Sequence, residues 1–403
     1  MKTKFVLSVI LSLGLAMLLL LTAVHAVEPT APQKLRRQFL PDQPWPDNHD
    51  VPINAHGGGV MFYAGVYYWF GQHMIAGGAG NAAQVGVHCY SSTDLYNWKD
   101  EGVALAVSED SKSDIAKGCI LERPKVIYNA ATKKFVMWFH LELKGQGYGA
   151  ARSGVAVADK PAGPYTYLRS LRPDAGTWPI NVTPEQKAGL KDAQRLIGTA
   201  FRGSSNEETP KHNILARDFG GGQMARDMNL FVDDDGKAYH IFASEENSTL
   251  HISLLSDDYQ SHAGKWVRLF EHRWNEAPAL CKYKGRYWMI TSDCNGWDPC
   301  VARLAVADSI WGPWKELGNP CVGVNPHNRM GPERTFGGQS TCILPVHGKD
   351  GAFIAMFDIW RPADAITGGH VWLPVTFEND RLTVRWRDAW DLSALGSPAS
   401  PRH

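Results

Sequence analysis

The chain has 403 residues and is 44% hydrophobic, enough to bury a large core, and it exceeds the usual single-domain size unless the fold is a barrel or propeller. Lysine plus arginine equals aspartate plus glutamate at 41 each, so no net field draws in DNA or an anionic membrane, and nucleic acid is excluded as an expected partner. Fifteen tryptophans are many for a soluble enzyme, and flat apolar rings suit the faces of sugars as well as they suit cores, with core packing the default for most of them.

Lys2 and Lys4 form a basic start, Phe5 to Ala23 is almost wholly apolar, and Ala23-Val24-His25-Ala26 places small residues where a signal peptidase reads. Residues 1–26 are therefore expected to be a signal peptide, cleaved after Ala26, with the product secreted or periplasmic and no membrane contact afterwards. An uncleaved anchor is the alternative, since the apolar run nears the length that spans a bilayer. Residues 27–50 are rich in Pro, Gln and Arg without periodicity and are expected to form an extended leader. Seven cysteines follow the signal; in an oxidising compartment some are expected to pair, with Cys294 and Cys300 a short loop closure, and the odd total leaves one free. Their wide spacing does not match a zinc site.

From there one phrase recurs, a turn residue followed by alternating aromatic and apolar residues: Gly65 to Phe70, Lys134 to Phe139, Gly236 to Phe242, Gly285 to Ile290 and Gly351 to Phe357. Each copy is expected to be the second strand of a hairpin, because the aromatics fall at period two behind a turn. A second phrase, a turn leading to an aromatic on an outer strand, follows at Ser91 to Trp98, Ala158 to Tyr165, Ser256 to Trp266 and Ala307 to Trp314, with different wording from Leu382 to Trp390. Five such pairs predict an all-β fold, a five-bladed β-propeller of four-stranded blades around a central channel, over residues 51–395 with a short tail at 396–403. The spacing is uneven, and the largest insertion, about residues 171–217, carries a predicted helix from Pro184 to Ile197 on one rim. Asn181-Val182-Thr183 matches a glycosylation sequon, to which no use is assigned.

In a propeller the inner strands converge on the channel, so residues at their starts meet at its mouth. Glu122 before Arg123-Pro124, Asp227 before Met228-Asn229, Glu276 before Ala277-Pro278, and Gln339 before Ser340-Thr341 each precede an inner-strand phrase by a similar interval. Glycoside hydrolysis needs one acid that holds a proton near neutral pH and a second group that activates water from the opposite face. Glu276 is the expected acid, because its apolar flanks raise its pKa, and Asp227 is the charged partner that keeps it protonated. His56 opens the first blade ahead of three glycines, which let a backbone or a ligand come close.

These residues resemble glycoside hydrolase family 43, and within it the exo-β-1,3-galactanase branch. The likeness runs through Ala55-His56-Gly57-Gly58-Gly59, Glu122-Arg123-Pro124-Lys125, Arg226-Asp227-Met228, Glu276-Ala277-Pro278-Ala279, Thr291 to Trp297, Gln339-Ser340-Thr341 and Val371-Trp372-Leu373-Pro374. The resemblance implies hydrolysis with inversion, releasing galactose from the non-reducing end of β-1,3-galactan such as the backbone of plant arabinogalactan. It matches Glu276 to the acid and Asp227 to the residue that tunes it. The wider family uses an aspartate base in the first blade, where this chain has Asn54-Ala55-His56, so Gln339 or Glu122 is expected to position the water. His56, Glu122, Trp297 and Trp372 are expected to contact sugar. No cofactor is expected; a structural calcium or sodium is compatible with such a fold, but no dense ligand cluster announces it. The chain is expected to act as a monomer on a polysaccharide. An arabinofuranosidase or xylosidase on the same fold, and a non-catalytic sugar-binding propeller, are the alternatives. A sialidase-like propeller ranks lower, since Ser92-Thr93-Asp94 lacks the box glycine and no arginine triad is evident.

Overall fold

The computed structural model describes residues 35–78, 80–197 and 211–395; the expected signal peptide, residues 27–34 of the leader and the tail at 396–403 lie outside the described residues. The recurring phrase forms the second strand of every blade: Val66–His73, Lys134–Glu142, Ala238–Ser244, Arg286–Ser292 and Phe353–Ile359. Each pairs antiparallel with an innermost strand, in order His56–Tyr63, Ile120–Asn129, Met228–Val232, Glu276–Tyr283 and Gln339–Pro345. Two of these hairpins turn on two residues with positive φ, Ala64-Gly65 and Lys284-Gly285, which matches the turn twist to the strand twist.

Third and outer strands complete five blades. The outer strands are Lys99–Ala106, Thr166–Leu171, His262–Leu269, Lys315–Gly318 and Arg381–Arg385, and the fifth blade gains a short parallel edge strand, Cys321–Val322, paired through Cys321 and Val384. Neighbouring innermost strands touch in sequence, and the first also touches the fifth, so the ring closes. Because each sheet is covered on both faces by its neighbours, the middles of the second strands are largely apolar, as Trp138, Phe139, Ile241, Phe242 and Phe357 illustrate by their complete burial.

The described part of the expected leader is packed into the fold rather than lying apart. Phe39 pairs with Trp390 through two backbone hydrogen bonds of 2.7 and 3.1 Å and stacks on its ring at 4.2 Å. Beneath them Trp45, Trp69, Trp98 and Trp372 form one aromatic knot between the first and fifth blades. The expectation that Trp372 contacts sugar is therefore corrected: at 1% exposure, 4.7 Å from Trp69 and 5.0 Å from Trp45, it is a core residue. Trp372 stands on the third strand of the fifth blade, Gly369–Glu378, with its ring turned into the knot.

The inserted segment carries short helical turns at Pro184–Ala188 and Leu190–Ala193 where the helix was predicted. Thr183 caps the first through a reciprocal pair of bonds with Gln186, and Asn181 bonds the backbone of Arg268, so two of the three sequon residues hold structure. Trp372→Ala is expected to cost about 3–5 kcal/mol of stability in denaturant unfolding with substrate KM unchanged in the folded fraction; a raised KM at unchanged stability would return Trp372 to the binding site.

Candidate active site

His56, Glu122, Glu276 and Gln339 lie at or within two residues of the start of their innermost strands, and Asp227 stands one residue ahead of Met228. The pairing register slips just after His56, Glu122 and Glu276, with Gly57, Arg123 and Ala277 in left-handed conformation at φ of 64°, 55° and 50°. Such bulges turn the strand end and re-aim its side chains. The result is that all five residues line one cavity of about 880 Å³. The glycines after His56 serve the protein itself: a side chain at Gly58 would strike Phe70 O, and one at Gly59 would strike the Lys125 stem. The Lys125 stem lies against Gly59, its Nζ donating to Gly57 O at 2.9 Å.

The electrostatics separate the carboxylates by role. Burial and then the Asp227 charge push the Glu276 carboxyl up to about 8, and Asn247 Nδ2 donates to its Oε1 at 2.6 Å. Asp227 is clasped by Arg123 through two bonds of 2.9 and 3.2 Å. The same guanidinium donates to Ser340 O at 2.9 Å and to Gln339 Oε1, while Gln339 Nε2 donates to Ser292 Oγ at 2.8 Å, so the amide is held at both ends.

Burial would raise Glu122 as well, but His140 at 2.9 Å, Tyr148 OH at 2.9 Å and Asn81 outweigh it and hold the carboxylate at about 2. His140 would be neutral from burial alone, yet it bonds Glu122 through Nδ1 and Glu142 through Nε2 at 3.0 Å, which holds it up at about 9 and therefore cationic. His56 is neutral, driven down to about 4 by burial against the opposing charge of Asp358, which lies 3.9 Å away. Asp358 is itself tied to His370 at 2.8 Å and to Gly57 N.

Glu122, His140 and Asp227 offer donor atoms within 4.8 Å of one another, the arrangement a cation would need. Both His140 nitrogens are engaged by carboxylates, and Arg123 supplies a positive charge at Asp227.

All five ring residues expected from the sequence meet here, and Trp297 stands at the rim, 47% exposed. The pairing of Cys294 with Cys300 is corrected, since all seven cysteines are free thiols. Cys294 Sγ faces Asn247 and Cys300 Sγ donates to Asp293 O at 3.2 Å, so the two sulfurs are engaged elsewhere. Sequence reading missed a second ring behind the first. His140, Ser292 and Asp358 lie opposite Glu122, Glu276 and Gln339 in the strand register, and Gln72 lies opposite His56. A polar residue ending an otherwise apolar phrase was the available signal.

Glu276 titrates ordinarily near 4.5 and in the fold near 8, so its contribution to stability is full below the lower value and lost as pH rises through the higher one. Glu276→Gln is accordingly expected to match or exceed the wild type in thermal stability at pH 8, and the difference should shrink on acidification towards pH 4; scanning calorimetry across that window checks it, and a gap that widened on acidification would contradict the assignment.

A family model described as glycosyl hydrolases family 43 matches residues 207–344, a span holding Asp227, Glu276 and Gln339. No curated protein sequence matches the chain. Among solved structures, the family 43 β-1,3-galactosidase BT3683, determined with galactodeoxynojirimycin, is 52% identical over 88% of this chain and 100% of that one, with a TM-score of 0.80. A second family 43 β-1,3-galactosidase, BT0265, is 34% identical over 89% of this chain and 65% of its own, with a TM-score of 0.72. The exo-β-1,3-galactanase 1,3Gal43A from Clostridium thermocellum is 32% identical over 87% of this chain and 66% of its own, with a TM-score of 0.69. With the ring of carboxylates at the channel mouth and this likeness over nearly its whole described length, the chain belongs to glycoside hydrolase family 43 and is a glycoside hydrolase.

Proposed function

We propose that the chain is a secreted, monomeric, inverting exo-β-1,3-galactanase that releases galactose from the non-reducing end of β-1,3-galactan. The observation that carries the reading is Glu276: a half-buried carboxyl held protonated near neutral pH by desolvation and by Asp227, at the mouth of a cavity large enough for a short saccharide. Glu276 gives its proton to the glycosidic oxygen as the bond from the anomeric carbon to that oxygen breaks, water adds to the carbon from the opposite face, and the proton it sheds passes to the imidic nitrogen of Gln339 or to solvent, from which Glu276 is reprotonated. Asp227 keeps Glu276 protonated and oriented. Gln339 orients the water, its amide held by Arg123 and Ser292, and acts either as an orienting group or through its imidic tautomer. Glu122, already accepting from three donors and held far below neutrality, is a weak proton acceptor and is assigned to sugar hydroxyls.

Attack at a chain end rests on the printed exo action of the galactanase similar to this chain. The galactose-type substrate rests on the printed activities of the β-1,3-galactosidases and galactanase similar to this chain. Export rests on the first 26 residues, and N-terminal sequencing of exported protein should begin at Val27.

Incubation with β-1,3-galactan should release galactose alone, with the α-anomer appearing first by NMR; β-galactose first would exclude inversion, and turnover confined to aryl arabinosides or xylosides would move the substrate. Glu276→Gln should lose activity by several orders of magnitude while retaining oligosaccharide binding, and more than about a tenth of the wild-type rate would remove it from the acid role. Asp227→Asn should lower the rate less and shift the basic limb of the pH profile downward. Gln339→Ala should be nearly as damaging as loss of Glu276, with no azide rescue of Glu122→Gln; azide rescue would hand the water to Glu122.

A further inference from the structure

Between the second and third strands of the third blade, Ala238–Ser244 and Thr249–Leu255, the chain turns through Glu245, Glu246 and Asn247. These are three non-glycine residues in a row in left-handed conformation, at φ of 51°, 59° and 68°. Such a run is costly and persists only where its surroundings over-determine it. Here buried Glu245 accepts from Arg268 at 2.6 and 2.7 Å and is bonded by His251 Nε2 at 2.9 Å. Glu246 is paired with Arg217 at 2.9 Å and with Arg226 at 3.1 Å. What the pinned turn presents to the ring is the side chain of Asn247, whose Nδ2 donates to Glu276 Oε1 at 2.6 Å.

The direction of that bond is fixed from the far side. Arg226 Nη1 bonds Asn247 Oδ1 at 3.2 Å, and a guanidinium can only donate, so the amide oxygen faces Arg226 and the amide nitrogen faces Glu276. A protonated carboxyl has one carbonyl oxygen, the better acceptor, and one hydroxyl. With Oε1 accepting from Asn247, the hydroxyl is Oε2. We propose that Asn247 is a positioning residue that addresses the proton of Glu276 to Oε2, making Oε2 the atom that protonates the glycosidic oxygen. Asp227 acts on the acid by charge and sets whether it holds a proton; Asn247 sets where the proton sits. Without the amide the carboxyl turns about its Cγ–Cδ bond and carries the proton on either oxygen, so the productive pose becomes a minor one. The inference rests on the reading of Glu276 as the acid.

The test compares kcat/KM for β-1,3-galactobiose, whose leaving sugar needs a proton, with that for β-galactosyl fluoride, whose fluoride departs without one. Asn247→Asp keeps the shape, the bond to Arg226 and a residue type that tolerates left-handed backbone, but it has no hydrogen to give Glu276. In this variant and in Asn247→Ala the galactobiose-to-fluoride ratio should fall about tenfold, carried by kcat. The basic limb of the galactobiose profile should move up, opposite to its shift in Asp227→Asn. A donor to the carboxylate form is gone, while Asp227, Arg123, Arg226 and the Cys294 thiol still face it, and in Asn247→Asp an added negative charge acts in the same direction. Equal losses on both substrates, a loss carried by KM, or an unmoved limb would overturn the assignment. Glu276→Gln in the same assay separates the two readings. A selective loss there without one at Asn247 defeats the proposal alone, and no selective loss there defeats the acid assignment and the proposal together.

Discussion

A single buried guanidinium holds the mouth of the channel together. Arg123, on the second blade, clasps Asp227 of the third and reaches Ser340 O and the Gln339 amide of the fifth. A cation taken out of water is costly unless its donors are satisfied in good geometry, and the planar fork of arginine meets a carboxylate, a carbonyl and an amide oxygen at once. Three blades are thereby fixed relative to one another at the point where chemistry requires sub-ångström placement. Lysine would keep the charge and lose the fork.

With Arg123 committed to Asp227, the electrostatics of the ring follow. Asp227 is held by a countercharge yet remains close enough to Glu276 to oppose its ionisation, so burial and a neighbouring charge together keep the proton on Glu276. Across the ring Glu122 is driven the other way by the His140 cation, which Glu142 stabilises from behind. One carboxyl that keeps its proton facing one that has lost it is the division of labour glycoside hydrolysis needs, and it arises from burial and partners rather than from residue type. The price is a desolvated acid that would be better ionised in water.

The periphery completes the site that the ring begins. Arg172, Arg217 and Asp218, from the inserted segment and the residue after it, line the cavity together with Arg226 and Glu246. Arg217 bonds Asp218 at 2.7 Å and Glu246 at 2.9 Å, and Arg226 bonds Glu246 at 3.1 Å, so one wall of the cavity is an ion-pair network joining the insertion to the third blade. That network abuts Asn247, whose side chain touches Glu276, so the insertion supports the proposed acid at second hand.

The sequence by itself determined the architecture and the inner ring. Period-two aromatic phrases behind turn residues can only be hairpin strands, five of them demand radial closure, and equivalent offsets bring Glu122, Asp227, Glu276, Gln339 and His56 to one mouth. Whether a given aromatic faces the core or the cavity was not legible, because the strand period gives two faces without naming which neighbour covers each. Trp372 fell into the knot with Trp69 and Trp45, while Trp297 stayed open at the rim. The partners His140, Asp358, Tyr148 and Asn247 were equally hidden, since each reaches its carboxylate or backbone amide through contacts between strands or between blades. The free thiols of Cys294 and Cys300 belong here too, for six residues of spacing permit a disulfide and only side-chain direction decides it. Local periodicity fixes what an element is, but the field at a carboxyl group is a sum over neighbours distant in sequence, and those are assembled only when the ring closes.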